Sequence, residues 1–218
     1  MVKLLKEKFY QFIELWKKEG LLPASKFAIY RYEEAVPVEK ELSTLDGMKQ
    51  PEGVGDFNLI EVNEQNYCSG NFEYPLQSRK EKVFVNIENG YKTYVLIKNN
   101  QVVADVWYAT NTAAYSNPIR NYLIWFGIDL KPDEVYLFDM YLSPDERGKG
   151  MAAFFMGSVL QSLKEKGIKK VYGYYDAKNI PAMWVHRLLK YHELPRLKIS
   201  KLLWFEFAKA NIQNKPSL

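Results

Sequence analysis

A mixed sheet flanked by helices, in the α/β (α+β) class, is what this chain predicts, and three observations carry the prediction. From residue 135 onward, apolar and polar residues alternate in the order strand, turn, helix, strand, helix, strands. A hairpin stands just before that series, with Asn99-Asn100 at its tip. The chain has 218 residues and is 47% hydrophobic, enough to bury a substantial core in one large domain or one domain with an appendage.

Taken in order, residues 2–19 read as an amphipathic helix. Leu5, Phe9, Phe12, Ile13 and Trp16 fall on one stripe, and Gly20 is a natural stop. The stripe suits packing on the core or on a partner subunit, or contact with an anionic membrane surface. "KFAIYRY" (26–32) alternates like a strand. Residues 37–57, rich in Glu, Gly and Pro, read as a linker or long loop. The divisions expected are an N-terminal helix-strand extension at 1–45, a linker at 46–57, a main domain at 58–210 and a tail at 211–218. "NLIEV" (58–62) opens the main domain as a strand. Residues 76–89 are ambiguous: "VFVNI" alternates, but the charges before it and Gly90 after it suit a helix. "YKTYVLIK" and "QVVADVWYAT" form the hairpin. "NYLIWFGIDL" (121–130) fits a helix or a buried strand. "VYLFDMYL" (135–142) is a buried strand, and "GMAAFFMGSVLQSLKEKG" (150–167) is a helix ending at Gly167. "IKKVYGYY" (168–175) is a strand. Residues 179–192 read as a helix with Pro181 in its first turn and His192 at its surface end. "LKISKLLWFEFA" (197–208) closes the sheet.

Composition narrows the function classes. Lys and Arg exceed Asp and Glu by 30 against 26, a net +4 that fits an anionic ligand without calling for nucleic acid. The single cysteine, Cys68, rules out an intrachain disulfide, and with only His186 and His192 no Cys/His metal site is expected. No apolar run approaches the ~18 residues of a membrane span. The charged N-terminus does not resemble a signal peptide, so a cytoplasmic location is the default.

"SPDERGKGMAAFF" (143–155) places Pro, two Gly, Arg and Lys between a strand and a helix. The first amides of a helix lack intrahelical acceptors, and the dipole there is positive. Glycines let successive amides face one concavity. Arg147 and Lys149 add charge, so a diphosphate is the fitting guest. "GKGMAA" also satisfies the dinucleotide pattern G-x-G-x-x-[GA], with Asp176 as a ribose-binding acid. Five residues between strand and first glycine, and the short chain that follows, argue against that fold. A Walker loop is excluded because no Gly-Lys-Ser/Thr is present.

The stretch Arg147-Gly148-Lys149-Gly150-Met151-Ala152 resembles the [RQ]-x-x-G-x-[GA] signature of the GNAT superfamily of acyl-CoA N-acyltransferases. Leu142-Ser143-Pro144 stands where that family has a V-x-P-like link. Asn179 and Ala182 stand where it opens a later helix with Asn and a small residue. The upstream hairpin also matches, and together these landmarks cover about residues 58–208. The resemblance implies a mostly antiparallel sheet and acetyl-CoA as co-substrate, with no metal. It implies that Tyr141 and Leu142 offer backbone groups to the pantetheine arm. Arg147, Gly148, Lys149, Gly150, Met151 and Ala152 then hold the phosphates, and Asn179 binds near pantetheine or orients its helix.

An attacking alkyl amine must lose a proton, and the departing thiolate gains from an acid. The family often has Tyr seven residues after the Asn; here that position is His186, the acid candidate, with Tyr191 second. Asp139 interrupts an apolar strand and is the base candidate, with Asp105 second. Asp145 and Glu146 read as solvent-facing loop charges. Cys68 has no neighbouring His and is not expected to be a nucleophile. Trp107, Tyr108, Tyr115, Tyr122, Trp125, Tyr136, Tyr174 and Tyr175 are core residues or the lining of an acceptor pocket. The expected function is an N-acetyltransferase acting on a primary amine by direct attack in a ternary complex, with a homodimer as one assembly. The alternatives are a non-catalytic acyl-CoA-binding sensor and a nicotinamide-dinucleotide-binding protein.

Overall fold

The computed structural model of the chain describes residues 2–45, 57–69, 73–114, 119–202 and 205–210. Most of the expected linker (46–56), Tyr115 and the tail at 211–218 lie outside the described residues, as does the side chain of Cys68.

Helix α1 (Val2–Glu19) ends at Gly20, whose φ of 94° few other residues adopt. It meets helix α4 (Gln77–Glu88) through its polar side. Glu14 accepts hydrogen bonds from the Ser78 amide and hydroxyl, and Lys3 pairs with Glu88. Leu5, Phe9 and Trp16 of the apolar stripe are left exposed. Two sequence expectations need correction here. Residues 26–29 are helical, as part of α2 (Leu21–Ile29), and strand β1 (Tyr30–Glu41) runs through residues 37–41 that read as loop. Strand β1 does not stand apart from the sheet. It is paired on both sides, antiparallel to β6 (Lys170–Asp176) over residues 35–41 and to β8 (Leu197–Leu202) over residues 30–35. Its local sequence carries only moderate β-propensity, and the two neighbouring strands supply what propensity does not.

The remaining strands are β2 (Asn58–Val62), β3 (Lys92–Lys98), β4 (Gln101–Thr110), β5 (Glu134–Leu142), the short β7 (His192–Glu193) and β9 (Phe205–Ala210). The sheet order is β2-β3-β4-β5-β6-β1-β8-β9, with β7 beside β1. Every strand pair in it is antiparallel except β5 with β6. This is the mixed, mostly antiparallel α+β fold that the sequence predicts. The hairpin between β3 and β4 turns on Asn99 and Asn100, with φ of 50° and 63°, the positive pair that a tight hairpin with right-handed strand twist requires.

Helix α6 (Met151–Glu165) covers one face of the sheet, burying Phe155, Val159, Leu160 and Leu163 against Leu137 and Val171. Helices α4 and α5 (Ile119–Phe126) cover the other, where Trp107, Tyr122, Leu123, Tyr136 and Ile199 are buried together. The ambiguous segment at 76–89 is thus helical over Gln77–Glu88, and the one at 121–130 is helical as far as Phe126, with 127–130 outside the helix. A short helix α3 (Glu64–Ser69), not anticipated, follows β2. Helix α7 (Ile180–Leu188) ends before His192, which lies instead in β7 opposite Glu39.

Candidate active site

Strands β5 and β6 pair only at Glu134–Lys170, Val135–Val171 and Tyr136–Tyr172. Beyond that rung β5 stays with β4 and β6 stays with β1, so the sheet parts. A bulge in β5 helps: the register against β4 shifts between Asp105 and Trp107, and Asp139 takes a φ of 54°. Gly173 sits at the fork, where a Cβ would lie 3.1 Å from the carbonyl oxygen of Leu137. A cleft of about 1350 Å³ opens there and reaches both faces of the sheet. On the α6–α7 side it is lined by Arg147, Gly148, Ala152, Asn179, His186 and Tyr191. On the α4–α5 side it is lined by Lys82, Tyr122, Tyr136, Tyr174 and Glu33.

The glycine turn closes one end. Gly148 and Gly150 have φ of 81° and 72°, and Gly150 is the N-cap of α6. A Cβ added to Gly148 would meet nothing within 4 Å, so the space above that backbone is open. The Arg147 guanidinium folds back and donates through Nε and Nη2 to the Leu142 carbonyl, at 3.1 and 3.0 Å. Lys149 donates to the Asp145 carbonyl at 3.3 Å. Leu142, Arg147, Gly148, Ala152 and Asn179 line the cleft. The Met151 side chain is buried in the core, and Tyr141 carries the Arg79 guanidinium over its ring at 5.3 Å. Glu146 corrects its sequence reading: it is buried and paired with Lys98 at 2.7 Å, while Asp145 is exposed.

Asn179 caps α7, its Oδ1 accepting from the Ala182 amide at 3.2 Å. About two turns on, His186 stacks on Tyr175 and meets the edge of Tyr191, with ring centroids 5.1 and 4.8 Å away. His186 Nδ1 lies 2.7 Å from the Ala182 carbonyl oxygen, which can only accept, so Nδ1 carries the proton. Burial lowers the imidazole pKa, against the opposing pull of that carbonyl and Glu193. The Tyr191 hydroxyl is buried without a hydrogen-bond partner, and burial keeps it protonated far above neutral pH.

On the opposite side lies a charge cluster. Arg79 of α4 donates through Nε to Asp105 at 3.1 Å and also pairs with it through Nη2. It bridges to Asp139 through Nη1 at 2.9 Å, and Lys82 reaches the other Asp139 oxygen at 2.6 Å. Burial alone would raise the Asp139 pKa, but Arg79 and Lys82 outweigh it and hold the carboxyl at about 2. Burial pushes Asp105 up against the pull of Arg79. Arg79 and Lys82 escaped the sequence reading because their segment was ambiguous. Glu33 escaped it because its segment reads, from sequence, as part of an appendage.

A family model of the acetyltransferase (GNAT) family matches residues 61–191. The chain belongs to this family. Within it, the turn at 147–152, the hairpin and the Asn179 cap all fall in the matched region, whereas α1, α2 and β1 with Glu33 precede it. No curated protein matches the chain.

Solved structures share the GNAT fold at low identity. A region of a fungal multi-domain GH3 β-N-acetylglucosaminidase, described as a glucosamine N-acetyltransferase, is 15% identical with a TM-score of 0.53. It covers 88% of this chain and 23% of that one. A tandem GNAT protein from the clavulanic acid biosynthesis pathway is 11% identical, with a TM-score of 0.52 over 83% of this chain and 57% of that one. A protein from Drosophila is 8% identical, with a TM-score of 0.51 over 86% and 57%. This chain therefore spans little more than half the length of two of these proteins and less than a quarter of the first.

The site suits the co-substrate that GNAT proteins typically use. Acetyl-CoA carries a diphosphate, and the amides of Met151, Ala152 and Ala153 at the start of α6 have no intrahelical acceptors. The space next to Gly148, beside this helix start, is open, and Gly148 and Ala152 line the cleft. Among the described residues no group of His, Cys, Asp and Glu could hold a metal ion, and no helix is long and apolar enough to cross a membrane.

Proposed function

We propose that this GNAT protein is an N-acetyltransferase that moves an acetyl group from acetyl-CoA to a primary amine by direct attack in a ternary complex. The observation that carries the reading is the fork between β5 and β6, which continues from the glycine turn on one face of the sheet to the aromatic chamber on the other. Acetyl-CoA supplies the activated acyl group as a thioester. The turn amides at 148–152 and Arg147 bind its diphosphate, and the freed edge of β5 at Tyr141 and Leu142 runs beside its pantetheine arm. Asn179 fixes the start of α7 and thereby the position of His186 and Tyr191.

The sequence puts His186 forward as the acid for the thiolate. Its Nδ1 proton is committed to Ala182, and burial disfavours a second proton. Tyr191 holds a proton at neutral pH and has no competing partner, so it is the better donor, with His186 fixing the orientation of its ring. The sequence offers Asp139 as the base candidate. A carboxylate held at about 2 by two cations is a weak proton acceptor, and its role here is to anchor the bulge. Calorimetric titration with acetyl-CoA, followed by thiol release with a panel of alkylamines, arylalkylamines and amino sugars, tests the function. Binding with amine-dependent thiol release is expected. Binding without release under every amine would favour an acyl-CoA sensor, and NAD binding without CoA binding would overturn the reading.

A further inference from the structure

Resting on the acetyltransferase reading, we infer that Glu33, contributed by the N-terminal strand from outside the family-matched region, is the group that receives the proton of the acceptor ammonium. Glu33 is 1% exposed, yet it lines the cleft. Its Oε1 accepts from the Tyr174 hydroxyl at 3.2 Å. Its Oε2 is 2.8 Å from Arg31 Nη2 but accepts no well-directed hydrogen bond. Next to it the Tyr136 hydroxyl is fully buried and has no hydrogen-bond partner. The buried Glu33 oxygen has its ion pair with Arg31 but no hydrogen bond, the buried Tyr136 phenol has no partner, and both belong to the lining of one chamber, where a hydrogen-bonding ligand would complete them. An ammonium donates three and also binds well over aromatic faces. Tyr122 and Tyr174 supply such faces, stacked with centroids 5.3 Å apart.

The position agrees with the chemistry. Tyr136 belongs to the last paired rung of β5 and β6, and Tyr174 follows Gly173 at the fork. The Tyr174 hydroxyl ties Glu33 to that fork from the α4–α5 face, opposite the glycine turn. The other carboxylates lining the cleft are paired or exposed, and Asp176 among them accepts from the Lys178 amide at 3.1 Å. Asp139 is fixed by Arg79 and Lys82, Glu7 by Gln11 and Lys82, and Glu88 is exposed and paired with Lys3.

In the step assigned, the acceptor ammonium gives one proton to the Glu33 carboxylate and exposes its lone pair. The nitrogen bonds to the acetyl carbonyl carbon, and the C–S bond breaks with its electron pair on sulfur. The thiolate takes the Tyr191 proton, the second nitrogen proton restores Tyr191 through solvent, and Glu33 releases its proton to solvent. The titratable and charged groups around Glu33 are Arg31 on its own strand, Tyr174 on β6, Tyr136 on β5, Tyr122 on α5, and Lys201 of β8 in the same lining.

The test compares wild type, Glu33→Gln and Glu33→Asp, with n-butylamine and phenethylamine as probes. Glu33→Gln keeps the size and the Tyr174 bond, and thermal melts check that both variants fold. Acetyl-CoA affinity should be unchanged by calorimetry. At pH 7, kcat/KM for the amine should fall about 10²-fold in Glu33→Gln and recover in part in Glu33→Asp. The gap should close to within a few-fold near pH 10, where an alkylamine is already largely deprotonated. Equal turnover of wild type and Glu33→Gln at pH 7 overturns the assignment. So does wild-type acetyl-CoA binding with no thiol release under either amine. Failure of wild type to bind acetyl-CoA at all would instead overturn the acetyltransferase reading beneath it.

Discussion

Arg79 and Asp139 are bound twice, Nη1 to the carboxylate at 2.9 Å and Nη2 to the backbone carbonyl at 3.0 Å. The second bond holds a residue whose φ of 54° is costly for any side chain but glycine. Arg79 thus pins the β5 bulge from the neighbouring helix, and the bulge helps part the sheet. Arg79→Met should remove the guanidinium that bridges Asp105 and Asp139 and leave both carboxylates undercompensated. Breaking one side of a buried ion pair costs about 3–5 kcal/mol. Urea unfolding should show a loss of that order, and acetyl-CoA binding should weaken in whatever fraction remains folded.

The same cluster sets an acid limb. Asp139 has a folded pKa of about 2, below the ordinary carboxylate value, because Arg79 and Lys82 overcome the effect of burial. A depressed carboxylate stabilises the fold above its unfolded pKa of about 4. That contribution is lost as pH falls from about 4 through the folded value. The side chain is 33% exposed, so solvent screens part of the effect. Urea midpoints between pH 5 and 2 should fall less steeply in Asp139→Asn than in wild type. Parallel slopes would show that the carboxylate carries no such linkage.

At the glycine turn, conformation and space can be separated. Gly148→Ala adds a Cβ that meets no protein atom, so its effect on stability reports the positive φ alone, about 1–2 kcal/mol. Gly150→Asp adds the same strain and a negative charge at the start of α6. Acetyl-CoA affinity should drop at least tenfold, equivalent to about 1.4 kcal/mol. Unchanged affinity in a folded Gly150→Asp protein would remove the diphosphate from this turn.

Tyr191 and His186 make distinguishable predictions. Tyr191→Phe should lower kcat about 10²-fold with acetyl-CoA affinity unchanged. His186→Ala should cost only several-fold, through loss of ring packing. The imidazole pKa is lowered by burial, so the unfolded chain binds its proton more readily, and stability declines as pH drops below about 6.5. His186→Gln should flatten that decline. A 10²-fold loss in His186→Ala, with Tyr191→Phe near wild type, would return the acid role to the histidine.

Much of the fold was legible because its signals are local. Asn99-Asn100 needed only the φ preference of two residues, and Gly148 and Gly150 needed only theirs. Asn179 announced its cap through a side chain that bonds three residues ahead. Residues 76–89 were not legible. Their alternation fits a strand, and the helix wins through contacts with α1 and with Asp105 and Asp139 that lie far along the chain. Glu146 looked like a loop charge because nothing nearby in sequence reveals Lys98.

The sequence by itself determined the strand-turn-helix around Gly148 and Gly150 and the hairpin before it, since backbone preference, capping and periodicity act within a few residues. Only the tertiary structure decided where strand β1 goes. Its edges carry the same N–H and C=O groups as any strand, so its sequence names no neighbour. Insertion between β6 and β8 follows from which edges the rest of the fold leaves open. That choice carries Glu33 from a segment that read as an appendage to the Tyr174 hydroxyl at the fork of the sheet.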